Sequence, residues 1–144
     1  MKRFENLHQI QMLTLMGTVV HWTNSAYVVT STRGVFNIVH ENGYCESLVD
    51  DQGELKDKAH EFYCNDIFVH GIQIQSPQDV NAVLDKINAS IADTKLLKME
   101  AIRGSHSLQD KIKATRAYNS VIRERQNDYD YVYLNFWQLI DIIE

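Results

Sequence analysis

One proline, Pro77, stands in 144 residues, and no Ser/Gly-rich or charged run divides the chain, so there is no place for an interdomain linker. Residues 1–144 therefore read as a single domain, long enough to bury about two-thirds of its unfolded surface. Cysteine is almost as scarce: Cys45 and Cys64 are too few for a disulfide framework and suit a reducing compartment. No apolar run approaches the ~18 residues of a membrane span, and Met1-Lys2-Arg3 leads into Phe4-Glu5-Asn6 instead of a signal-peptide core. A cytoplasmic location with no membrane contact is the expectation. Also missing are a phosphate-cradling glycine loop, a nucleophile elbow and a paired-carboxylate motif, which puts an enzyme third among the readings of function and implies no cofactor.

What is present begins with a long helical signal. Ser76-Pro77-Gln78-Asp79 combines a hydroxyl cap, a proline at the first helical position and a carboxylate three residues after the cap. Val80, Val83, Leu84, Ile87 and Ile91 follow at helical spacing on one face. Arg103-Gly104 supplies the stop, with Gly104 free to turn left-handed. Ser107 and Asp110 repeat the capping pattern for a second helix, whose inner stripe is Leu108, Ile112, Thr115, Asn119 and Ile122, flanked by Tyr118. The pattern fades at Gln126-Asn127, so residues 76–127 form a helical hairpin. Its first helix, at about 40 Å, is as long as the roughly 37 Å diameter of a domain of this size. Leu96, Leu97 and Met99 leave the stripe and point to other sides, which suggests a homo-oligomer interface.

Residues 1–75 read as mainly β. Phe4 to Met16 is a short helix ended by Gly17, and four β-rich runs then start at Thr18, Ala26, Gly34 and Tyr44, separated by hairpin-scale turns. A fifth strand falls at Phe62–Cys64 or Asp66–His70. Residues 128–144 are a packing segment in which Tyr129–Leu134 fits strand or helix; a strand to Tyr133 and a helix from Leu134 is the preferred reading. The aromatic surface of that segment, with Tyr133 and Trp137, needs a cover from the hairpin or a second copy. The fold class is α+β: an antiparallel meander of four to five strands packed on a long C-terminal helical hairpin.

The combination Val20-His21-Trp22-Thr23-Asn24, Tyr27-Val28-Val29, Asn42-Gly43-Tyr44-Cys45 and Glu61-Phe62-Tyr63 resembles small uncharacterised proteins encoded by bacteriophages and prophages. That resemblance covers residues 17–64 and carries no assigned site. It implies an accessory or host-takeover protein in a bacterial cytoplasm, where small proteins bind and inhibit a host protein or sequester a signalling nucleotide.

Four sets of residues are candidates for chemistry. Cys45, His60, Cys64 and His70 have the atoms for zinc but not the spacing, so no metal is expected. Arg103, Ser105, His106, Ser107 and Lys111 gather where free N–H groups at a helix start favour an anion, although the same serines serve as caps. Trp22, Tyr27 and Tyr44 form either an aromatic floor for a ligand or the core face of the sheet. His21 beside Trp22 reads as half-buried structure. Net charge is −5, yet Lys95 to Arg125 holds eight basic residues against three acids, leaving ten net negative charges on the rest. The basic residues scatter around the second helix, which makes nucleic acid an improbable partner. A non-enzymatic, self-associating protein that binds another protein is the leading function, and sequestration of a small anionic ligand is the alternative.

Overall fold

The computed structural model describes residues 1–143, with side chains as far as Phe136. The fold is α+β, and the chain divides into two compact units at Gln75/Ser76.

In the first unit, β1 (Lys2–Arg3) leads to α1 (Leu7–Met16). The Asn6 side chain caps α1 by accepting from the Gln9 N–H at 2.9 Å, while the Gln9 side chain accepts from the Glu5 N–H at 2.9 Å. Gly17 ends the helix at φ 111°, a left-handed conformation that a Cβ would strain. Ile10, Leu13 and Met16 form its buried face, as their spacing requires.

Then come β2 (His21–Trp22), β3 (Tyr27–Thr32), β4 (Val35–His40), β5 (Cys45–Ser47), a 3-10 turn at Ala59–Glu61, β6 (Phe62–Cys64), β7 (Phe68–Val69) and β8 (Ile72–Gln73). All ladders are antiparallel, but they make three sheets, β1-β6-β2, β3-β4-β5 and β7-β8. The expected four-stranded meander is therefore three-stranded. Its first run splits: the Val20 carbonyl still accepts from the Val29 N–H at 2.9 Å, while His21 and Trp22 pair with Tyr63 and Phe62. The cause is local, since Thr23 at φ 61° folds the chain back so that the Asn24 N–H meets the Trp22 carbonyl at 2.7 Å.

Two hairpins turn on paired left-handed residues, Arg33-Gly34 at φ 52° and 79° and His70-Gly71 at φ 50° and 82°, the two-residue turn that matches strand twist. The second of these replaces the single strand expected over 66–70. Phe4, Val20, Val29, Ile38, Leu48, Phe62 and Ile74 join the α1 face in the core. Thr18 substitutes for a strand neighbour, donating to the Phe68 carbonyl at 2.7 Å and accepting from the Phe68 N–H at 3.0 Å.

The second unit is two packed helices, α2 (Pro77–Gly104) and α3 (Leu108–Ile143). The Asp79 carboxylate accepts from the Ser76 N–H at 3.0 Å and from its hydroxyl at 3.1 Å, so the start of α2 forms as its sequence requires. Val80, Val83, Leu84, Ile87 and Ile91 are all buried. Lys98 Nζ donates to Asn119 Oδ1 at 2.7 Å across the antiparallel pair.

Three expectations need correction. Gly104 is the last helical residue, not a left-handed cap; Ser105, extended at φ −79°, ends α2. Residues 129–134 are helix, and α3 continues without a break through them, because Tyr131, Val132 and Phe136 find burial there that outweighs the β propensity of Tyr-Val-Tyr. Of the inner stripe proposed for α3, only Ile122 is buried; Thr115 and Tyr118 are half-buried, and Leu108, Ile112 and Asn119 are exposed. Toward the bend both helices carry no buried side chain, so the stripe has nothing there to enclose it. No described helix is long and apolar enough to cross a membrane. The Trp137 side chain, expected in an interface, lies outside the described residues.

Candidate functional site: an aromatic and carboxylate patch

Strand pairing in the first unit sets Tyr27 opposite His40, and the His40 N–H donates to the Tyr44 carbonyl at 2.8 Å. Trp22, brought in by the turn at Thr23, meets Tyr27 edge-on at 4.9 Å between ring centroids, and Tyr27 meets His40 edge-on at 4.5 Å. The rings are half-buried and Tyr44 beyond them is exposed, so these aromatics are a surface feature and not the sheet's closed core. Both spacings suit the quadrupole geometry of interacting aromatic rings.

Carboxylates border the rings. The Trp22 indole N–H donates to Glu61 Oε2 at 3.1 Å, and the Tyr44 hydroxyl donates to Glu46 Oε2 at 2.9 Å. That bond to Glu46, with the Glu46 charge itself, raises the Tyr44 hydroxyl pKa. Asp57 joins from the following loop. Partial burial, then repulsion from Glu46 and Glu61, raises its pKa above 3.8. The three acids therefore share a negative potential on a half-exposed aromatic surface.

Sequence reasoning found Trp22, Tyr27 and Tyr44 but did not join His40, Glu46, Asp57 or Glu61 to them. Glu46 was within reach, two residues from Tyr44 and on the same strand face. Glu61 was not, since it arrives through the β2 to β6 pairing, in which the Thr23 N–H donates to the Glu61 carbonyl at 3.0 Å. His21 is structural: its Nδ1 donates to the Tyr27 carbonyl at 2.9 Å and its ring lies 5.3 Å from that of Tyr63.

At the hairpin bend the serines are committed to the backbone. Ser105 donates to the Ala101 carbonyl at 2.7 Å, and Ser107 Oγ accepts from the Asp110 N–H at 3.1 Å. Arg103, His106 and Lys111 are exposed. Leu96, Leu97, Met99 and Tyr133 are exposed, as an interface would need.

The Cys45, His60, Cys64 and His70 set does not converge; among the described residues no three His, Cys, Asp or Glu side chains are placed to hold a metal ion. Both cysteines are free, Cys45 exposed and Cys64 buried, and burial pushes the Cys64 thiol pKa up to about 11. A thiolate reagent at pH 8 should modify one cysteine of the native protein and two after denaturation, and labelling of Cys64 in the native state would contradict its placement in the core.

Comparison with protein-family models, with curated proteins and with solved structures finds no match to this chain.

Proposed function

We propose that the chain is a protein-binding module whose first unit takes a cationic segment of a partner, an arginine or lysine side chain seated on Trp22, Tyr27 and Tyr44 among Glu46, Asp57 and Glu61. The carrying observation is the edge-to-face ring cluster bordered by Glu46, Asp57 and Glu61, with Asp57 repelled by the other two. A cation over an aromatic face gains from the ring quadrupole, and a guanidinium also gains charge-assisted hydrogen bonds from the acids. It relieves their repulsion as well. The same potential disfavours an anion, which weakens the alternative of a sequestered nucleotide on these aromatics; the basic bend belongs to the second unit.

Calorimetric titration with an arginine-rich peptide tests the proposal. Trp22→Ala and Glu61→Gln are each expected to weaken binding by about tenfold, or 1–2 kcal/mol. Affinity should also rise with pH as Asp57 ionises, because its elevated pKa keeps part of the patch neutral at acid pH. Equal binding by wild type and both variants would sink the idea, as would preference for a polyanion.

A further inference from the structure

The end of the hairpin nearest the bend has no core. Burial in α2 stops at Thr94 and resumes in α3 at Ile122, and no side chain between residues 95 and 121 is buried. On α2 this arm is ten residues, about 15 Å of helix. It nevertheless carries large apolar side chains, of which Leu108 is 74% exposed, and Leu96, Leu97, Met99 and Ile112 are exposed too. Leu108, Lys111, Ile112 and Thr115 follow at i, i+3, i+4 and i+7, which places a lysine within an apolar stripe on one side of α3. Exposed apolar side chains concentrated at one end of a hairpin mark a contact surface.

Charge selects the occupant. Residues 95–121 hold six basic side chains against two acids, while residues 41–61, which include Glu46, Asp57 and Glu61 of the patch, hold seven acids against two lysines. Two arms laid side by side would bring like charges together, which penalises the wrong pairing. An arm laid on the β unit brings opposite charges together and puts lysine and arginine where the patch calls for a cation. We propose that the patch of one copy holds the bend end of a second copy's hairpin, the Leu108–Lys111–Ile112 stripe lying against Trp22, Tyr27 and Tyr44. This names the partner of the patch and rests on its reading as a cation site. Such a contact joins two different surfaces, so it either closes reciprocally between two copies or propagates.

Sedimentation of the full-length chain tests this through charge reversal. Wild type should associate with rising concentration, and less so at high salt. Glu46→Lys and the pair Lys111→Glu with Arg116→Glu all change exposed or half-exposed side chains, and their folding is checked by thermal melts. Each variant alone should dissociate at least about tenfold more readily, and a mixture of the two should associate again, because reversed patch and reversed arm now attract. Should a variant melt early, the salt dependence of wild-type association and its loss in Tyr44→Ala decide in its place. Association of the Glu46→Lys variant equal to wild type, or a mixture that stays monomeric, would overturn the proposal. Monomeric wild type that still binds the arginine-rich peptide through Trp22 would overturn the second-copy partner alone; monomeric wild type that binds no peptide would overturn the cation site as well.

Discussion

Phe136→Ala should destabilise the helical unit by about 3–5 kcal/mol, the range for deleting a fully enclosed aromatic side chain together with the cavity it leaves. Phe136 is fully buried and meets the Tyr131 ring edge-on at 5.9 Å, so the variant loses a ring contact as well as transfer free energy. Tyr133→Ala and Leu134→Ala, three and two residues earlier on the exposed side, should change stability by less than about 0.5 kcal/mol. The contrast follows from helical phase. A strand through Tyr129–Leu134 would alternate its burial and place Tyr131 and Tyr133 on one face. Chemical denaturation of the three variants reads the difference; a large loss at Tyr133 with little at Phe136 would contradict a continuous α3.

Lys2→Met should raise stability by about 1–3 kcal/mol, a substitution in the opposite direction from most core changes. Lys2 is only 4% exposed, its Nζ makes no hydrogen bond, and it sits opposite Cys64 in the β1 to β6 ladder. Burial drives its pKa below 10.5, and the neighbouring Cys64 and Glu5 charges oppose that only in part. A cation whose folded pKa is depressed destabilises fully at pH values below that folded pKa. The penalty fades as pH rises through the folded pKa toward the unfolded value of 10.5, so the gain from Lys2→Met should be greatest below the folded pKa and lost above 10.5.

Cys64 acts in the other sense. Its thiol stays neutral in the fold to about pH 11 but ionises near 9.0 when unfolded, so stability declines across that window, by an amount on the order of 2–3 kcal/mol. Wild type combines the two slopes, whereas Lys2→Met should show the alkaline decline alone and therefore more steeply. Denaturant melts at pH 7, 9 and 10.5 separate them, and a destabilised Lys2→Met at pH 7 would show that the ammonium has a partner.

How much of this was legible in the sequence depended on the range of the interaction. Ser76, Pro77 and Asp79 satisfy backbone groups within one turn, and Val80 to Ile91 repeat a single period, so α2 was readable end to end. Tyr-Val-Tyr at 131–133 has a local preference for strand that packing overrode, and nothing local announces which of those side chains becomes buried. Pairing of β2 with β6 is non-local and rests on one left-handed residue, Thr23, a type seldom found there. The candidate site inherits both regimes. Tyr27 and His40 face each other across a readable hairpin, whereas Trp22 joins them through the Thr23 turn and Glu61 reaches Trp22 from 39 residues away through that unreadable pairing.

The proposed cation site has its most direct test at the Trp22 indole. In a two-dimensional proton–nitrogen spectrum the two tryptophan indole N–H signals are separable, and Trp22→Phe assigns them. Because the Trp22 N–H is bonded to Glu61, a guanidinium competing for that carboxylate must perturb its resonance. Titration with an arginine-rich peptide should shift the Trp22 signal in a saturable way, and Glu61→Gln should flatten the response. Saturable peptide binding with an unmoved Trp22 signal would place the site elsewhere and contradict the account.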